Sequence, residues 1–184
     1  GPAREATFRI NGGEREGEEV TAGFDMLHVT PPQRAVAVVR ESALSSEAGY
    51  IDIDQGTLRH TRYGNVFGLG DAGSSPNSKT AAAIRKQSPV VVENLLALMQ
   101  GADTPAQYDG YASCPLTTAY GKVLMAEFVY GGRVTPTFPV DPGIERRSYW
   151  WIKTTGLPLM YWHYMLRGHE WFLEHGDWKA AAAD

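Results

Sequence analysis

The stretch YASCPLTTAYG, residues 111–121, holds the chain's one cysteine, Cys114. A thiolate is a nucleophile and an electron donor, and its reactivity depends on access and on nearby positive charge. A free cysteine in a folded chain is often a buried small hydrophobe. The alternatives are a nucleophile working alone and one half of a redox pair. A second feature is NVFGLGDAG, in which an apolar run ends in Gly70-Asp71. A carboxylate at the C-terminal edge of a sheet lies where ligands of α/β folds bind, and it can accept hydrogen bonds from sugar-type hydroxyls. The third feature is SKTAAA, residues 78–83, which reads as a capped helix start with Lys79 and Thr80 in it. Free N–H groups there suit a phosphate or a carbonyl gaining charge. Lys79 opposes the helix dipole, so it either has an anionic partner or is solvated on a surface helix. The histidines (28, 60, 163, 169 and 175) show no metal-ligand spacing, and His163 and His169 would not share a helix face.

The elements that must hold these residues follow from periodicity and turn chemistry. A chain of 184 residues can build one domain or two small lobes. A single cysteine excludes a disulfide framework and a cysteine-rich zinc site. Seventeen dispersed basic residues in a net charge of −4 argue against a nucleic-acid partner. No apolar run approaches the ~20 residues a spanning helix needs. The chain starts without Met and soon enters the strand-like ATFRI, so it reads as a piece of a longer protein. Residues 5–30 read as a β-hairpin: EATFRI, an Asn-Gly turn in NGGERE, and a return in which Met26, Leu27 and Val29 enter a buried strand stopped by Pro31-Pro32. AVAVVRESAL, residues 35–44, fits helix or strand equally. Ile51 and Ile53 alternate with Asp52 and Asp54 before a DQG turn, and NVFGLGD reads as a short buried strand. Residues 78–101 form the strongest helix: Ser78 as cap, an apolar face of Ile84, Val91, Leu95, Leu98 and Met99, and Gly101 closing it. Pro89 should kink that helix or restart it after Ser88. KVLMAEFVYGG is a strand followed by a glycine turn. From Tyr149 the chain is aromatic and helical, with all five tryptophans, and ends in a frayed KAAAAD. Tryptophan and tyrosine alternating with Leu157, Leu159, Met160, Met165 and Leu166 suit a segment dipping into one membrane leaflet, or an aromatic helix covering a sheet.

HVTPP, NVFGLGDAGSSPNSKTAAA, YDGYASCPLTTAYGKVLMAEF and LPLMYWHYMLRG, taken together in this order, resemble sulfide:quinone oxidoreductases of the type that includes the mitochondrial enzyme. The likeness runs from about residue 5 to residue 172. It implies the C-terminal portion of an α/β flavoprotein with two dinucleotide-type domains, α+β within this chain. Residues 1–35 would end the second nucleotide-type domain, 36–105 would be the last part of the FAD-binding domain, and 106–184 a C-terminal helical lobe. Such enzymes begin with a Gly-x-Gly-x-x-Gly loop for the FAD pyrophosphate; GLGDAG has those spacings but sits in the later signature, so the FAD site would be completed by another part of the protein. By resemblance, Gly70 and Asp71 meet the ribityl chain of FAD. Lys79 and Thr80 stand at the helix end facing the flavin, and Lys153 matches a lysine near its pyrimidine edge. Cys114 aligns with a redox cysteine whose partner lies in the missing half. In the family, the pair takes up sulfide sulfur as a persulfide or trisulfide, and two electrons pass to FAD and then to quinone. Implied partners are sulfide, a sulfur acceptor, quinone and a membrane surface met by the aromatic tail. The implied location is peripheral, monotopic, and on the cytoplasmic face in a bacterium. Two other readings stay open: a quinone-reducing NADH dehydrogenase-like flavoprotein, against which the cysteine before PLTTAYG argues, and a non-catalytic membrane- or partner-binding module.

Overall fold

The computed structural model describes residues 4–104 and 106–168. The expected helical continuation past Gly168, with Trp171, Trp178, His169, His175 and KAAAAD, lies outside the described residues. Two compact units are present, residues 1–33 and 34–184.

The first unit is a hairpin. β1 (Glu5–Arg9) and β2 (Glu19–Gly23) pair antiparallel, with Glu5 opposite Gly23 and Arg9 opposite Glu19. Thr7 and Thr21 share a cross-strand hydrogen bond of 2.9 Å. The connection is wider than the expected two-residue Asn-Gly turn: Ile10 N donates to Glu18 O at 2.9 Å, and Gly17 N to Ile10 O at 2.8 Å. The expected buried strand through Met26, Leu27 and Val29 is not formed, and all three side chains are exposed. The β1–β2 ladder ends at Gly23, and Pro31-Pro32 bring no N–H to extend any pairing.

The second unit begins with the short helix α1 (Ala37–Arg40), which resolves the ambiguous AVAVVR. Residues 44–75 then fold as linked turns rather than as a ladder. Ile51 N donates to Ala72 O at 2.8 Å and Ser74 N to Ile51 O at 2.9 Å. Asp54 organises the DQG turn, since its Oδ1 accepts from Thr57 N at 2.8 Å, Thr57 Oγ1 at 2.9 Å and Gly56 N at 3.1 Å. The Thr57 amide above all holds the Asp54 carboxyl below its usual range. NVFGLGD is not a regular strand here: Phe67 makes a single bridge to Arg59, and the run bends at once into a 3₁₀ turn over Gly70–Ala72. No second strand runs alongside it among the described residues, and a strand without a neighbour cannot propagate a ladder.

α2 (Ala81–Met99) is one continuous helix through Pro89, not two. Proline removes one intrahelical bond and crowds the preceding turn. Anchors on both sides hold the helix together: Gln87 before the proline, and Val90, Val91 and Asn94 after it, all packed inward. The face it buries also differs from expectation. Ala83, Gln87 and Asn94 point inward, while Leu95 and Met99 are exposed along with Val92 and Leu96. The buried face is thus rotated from the expected one, with Val91 common to both, and Asn94 explains the rotation, because its amide donates to Thr57 O and Ala106 O, both at 3.0 Å, and accepts from Ala106 N at 2.9 Å. Two loops are thereby tied to the helix by bonds that a leucine at that position could not make.

β3 (Ala112–Ala119), β4 (Lys122–Val129) and β5 (Arg133–Val134) form an antiparallel sheet in that spatial order. Val123, Met125, Glu127 and Val129 project from one face of β4 into the interior, as the period of two requires. One core gathers Ile53, Leu58 and Tyr108, with Val90, Val91, Tyr111 and Tyr130 against it. A second gathers Val123, Met125 and Tyr149, with Trp150 and Ile152 against it. The chain continues as α3 (Arg147–Trp151), a π-helical turn over Ile152–Gly156, and α4 (Leu157–His163), so the aromatic segment is helical as far as it is described. Helices with small antiparallel sheets make this an α+β chain. No helix among the described residues is long and apolar enough to cross a membrane.

Candidate active site

Cys114 is exposed, on β3 opposite Ala126. The reading as a buried hydrophobe therefore fails. Glu127, opposite Ser113, faces the core, and alternation sends Cys114 to the other face of the sheet. The next residue explains how a proline fits in this strand. Pro115 has no N–H, so it must occupy a position whose polar groups point away from β4, on the side of β3 that pairs with no strand among the described residues. The outward carbonyl is engaged: Lys153 Nζ donates to Pro115 O at 2.7 Å and to Thr117 Oγ1 at 2.8 Å. The resemblance puts Lys153 near the pyrimidine edge of the flavin; in the fold its ammonium is hydrogen-bonded to β3 at the residue beside the thiol.

The start of the cysteine strand is held by a buried carboxylate that no sequence signal marked. Glu127 accepts from Tyr111 Oη at 2.6 Å, from Thr137 N at 2.9 Å, and from Thr137 Oγ1. Burial, and then the bond to Glu127, pushes the Tyr111 phenol up. Lys86 of α2 lies over the Tyr111 ring, 5.6 Å from its centroid, so α2 and the entry to β3 share one packed region. Glutamate within KVLMAEFV reads as an outward residue in an apolar strand. Its inward position shows only once Tyr111 and Thr137 are seen to converge on it.

The other candidates cluster at the N-terminus of α2. Gly70 has φ +63°, and a Cβ there would stand 3.2 Å from the Ile84 side chain, so glycine alone permits both the turn and the close approach to α2. Its N–H is taken by Gln87 Oε1 at 2.7 Å, which fastens the turn to the helix. The Asp71 side chain is exposed and accepts no hydrogen bond from any described residue. The cap is Thr80 rather than Ser78, its Oγ1 accepting from Ala83 N at 3.2 Å. Lys79 turns back on its own loop. Its ammonium donates to Gly73 O at 2.6 Å and Ser75 O at 3.2 Å, and lies 4.9 Å from the centre of the Tyr50 ring. Burial lowers its pKa, and Asp71 opposes that shift. Lys79 thus shapes the loop, and its charge reaches the Asp71 side. Gly70, Asp71, Lys79 and Thr80 are gathered at one end of α2, while Cys114 and Lys153 form a second group on β3.

His60 is buried, its Nδ1 accepting from Arg62 N at 2.9 Å and its Nε2 lying 3.2 Å from Leu44 O. No group of His, Cys, Asp and Glu side chains able to hold a metal occurs among the described residues.

No family model matches the chain. It is 42% identical over 166 residues to the mitochondrial sulfide:quinone oxidoreductase of Mus musculus, spanning 90% of this chain and 36% of that protein. With the Dictyostelium discoideum protein of the same name it shares 42% over 173 residues, 94% of this chain and 37% of the relative. The chain is homologous to the C-terminal portion of sulfide:quinone oxidoreductases. The Schizosaccharomyces pombe sulfide:quinone oxidoreductase agrees, at 36% over 182 residues, 96% of this chain and 39% of that one. The chain thus spans well under half the length of these relatives. A chain in the cryo-EM structure of the Tetrahymena thermophila mitochondrial ATP synthase, an F1Fo composite tetramer, superposes with a TM-score of 0.65 at 27% identity. It covers 85% of this chain and 38% of that one.

Proposed function

We propose that this chain is the C-terminal part of an FAD-dependent sulfide:quinone oxidoreductase, with Cys114 as one sulfur of its redox pair. The homology over nine-tenths of the chain carries this reading. An exposed thiol on a strand fastened by Lys153 and by the Tyr111–Glu127 contact is its structural support. In this reading residues 1–35 end the second nucleotide-type domain, 36–105 close the FAD-binding domain, and 106–184 form the C-terminal lobe.

The end of α2 is chemically suited to the flavin's polar side. Asp71 offers an exposed carboxylate for the ribityl hydroxyls. The Ala81 and Ala82 amides begin the helix beside the Thr80 cap, and Ser75 Oγ and Asn77 Oδ1 in the preceding loop are buried without a protein partner. Gly70 supplies the turn and the close packing under the site, not an N–H, since Gln87 already holds that group. Lys79 contributes positive charge at the Asp71 side, and Lys153 acts on the side of the thiol. FAD supplies the two-electron acceptor. Sulfide opens a disulfide between Cys114 and a second cysteine elsewhere in the longer protein, leaving a persulfide on one sulfur and a thiolate on the other. Transfer of the outer sulfur to an acceptor and re-formation of the disulfide release two electrons, for which bound FAD would be the acceptor ahead of quinone. The exposed Trp151, Leu159, Tyr161, Trp162 and Leu166 give a surface for the membrane that holds the quinone, which makes the protein peripheral and monotopic.

The longer protein containing this chain should purify yellow, bleach with sulfide when quinone is limiting, and lose turnover in Cys114→Ser. Retained sulfide-dependent turnover in that variant overturns the role of Cys114. Vesicle flotation unchanged by removal of residues 149–184 overturns the membrane contact.

A further inference from the structure

The aromatic segment contains a π-helical turn, Ile152–Gly156, inserted between α3 and α4. Such turns are rare and concentrate at functional positions. This one carries Lys153, which donates to two acceptors on the same edge of β3, Pro115 O at 2.7 Å and Thr117 Oγ1 at 2.8 Å. On its other edge β3 is bound by β4. The strand bearing Cys114 is therefore held between a ladder and one ammonium. That ammonium belongs to a segment that packs Tyr149 and Ile152 on Val123 and Met125 while leaving Trp151 and Trp162 exposed. We propose that Lys153 is a positioning residue for Cys114, fixing the free edge of the cysteine strand to the aromatic helical segment so that the two move as one body. Its consequence for sulfur transfer rests on the proposed function, whereas the tie itself does not.

The alternation of an antiparallel ladder turns the Cys114 and Leu116 amides toward β4, because Pro115 between them points outward. Their hydrogen exchange reports on how firmly that part of β3 is held. Exchange measured by NMR should be roughly tenfold faster at these two amides in Lys153→Met, with Phe128 and Val129 of β4 unchanged, as expected for the loss of about one charge-assisted hydrogen bond. Lys153→Arg, which can still donate to both acceptors, should restore the slow rates. Lys122→Met removes the same charge from the same sheet and breaks the ion pair with Glu145, and it should leave Cys114 and Leu116 slow. Unchanged exchange in Lys153→Met overturns the proposal, as does equal acceleration in Lys122→Met or failure of arginine to rescue. Should Lys153→Met not fold, Thr117→Val removes one acceptor and should accelerate the same amides about threefold; no acceleration there overturns the proposal equally. Loss of the redox reading through an active Cys114→Ser enzyme would leave these exchange rates where they are, so the two failures are distinguishable.

Discussion

Asn94→Ala tests how α2 is seated. The Asn94 side chain is fully buried and makes three hydrogen bonds, two to the carbonyls of Thr57 and Ala106 and one from the Ala106 amide. At about 1 kcal/mol each, their loss costs ~3 kcal/mol, rising toward ~5 kcal/mol if the stranded backbone groups stay dry. Urea unfolding followed by far-UV circular dichroism should show a lowered midpoint with an unchanged slope. Asn94→Asp keeps the volume but sets a carboxylate against two carbonyl oxygens, so it should cost at least as much as alanine. Leu96→Ala, on the outward face at 52% exposure, should change stability by less than about 0.5 kcal/mol. If Asn94→Ala costs under about 1 kcal/mol, or Leu96→Ala costs as much as Asn94→Ala, the helix is seated the other way round and the reasoning fails.

Gly110→Ala should destabilise the second unit by more than 2 kcal/mol, on the order of a core overpacking, because φ is +88° and a Cβ would meet the Tyr130 ring at 2.3 Å. Gly121→Ala, at φ +77° with nothing within 4 Å, should cost only the left-handed strain of about 1 kcal/mol, and equal costs in thermal melts would contradict the packing argument. Asp54 has a depressed folded pKa, so its contribution is complete above the ordinary carboxylate range and is lost as pH falls through the folded value. Acid unfolding curves should therefore be shallower in Asp54→Asn, and superimposable curves would refute the role. Burial pushes Tyr130 up to about 12, with its Oη donating to Gln55 O at 2.9 Å. The stability it lends is present below the ordinary tyrosine range and fades as pH rises through about 12; Tyr130→Phe should delete one late phase of tyrosinate absorbance and leave the still later ionisation of Tyr108, which burial pushes up further. Native 184-residue chain should take up one equivalent of iodoacetamide at Cys114 without denaturant, and a need for unfolding would contradict its exposure.

Elements whose stability is local could be read directly from residue order. β1 with its return strand, β4 with the glycine turn after it, the start of α2 within two residues, and the helical character after Tyr149 all follow from period, caps and turns. What could not be read depends on partners distant in the chain. Periodicity ranks α2 by apolar side chains and so selects Leu95 and Met99, whereas Thr57 and Ala106 decide that Asn94 turns inward. Met26, Leu27 and Val29 have strand composition, yet composition brings no neighbouring strand. At the candidate site, the cluster at the head of α2 was visible as Gly70, Asp71, Lys79 and Thr80 in close succession. The engagement of Lys153 was not, because 38 residues separate it from Pro115. The Tyr111–Glu127–Thr137 contact escaped for the same reason, and a π turn has no compositional mark comparable to a cap.

Pro115 has a consequence for how copies of this protein meet one another. An unpaired strand edge is a template on which a second molecule can add its own strand, and a thiol on such an edge would be carried into contact with its twin. Here the exposed edge beside Cys114 lacks a donor at Pro115, and its acceptor is already occupied by Lys153. The same two residues that seat the thiol therefore insulate it from strand exchange between molecules. Collisions between copies are left with an edge that offers little to zip, which disfavours accidental disulfide-linked dimers while the sulfur stays open to a small anion.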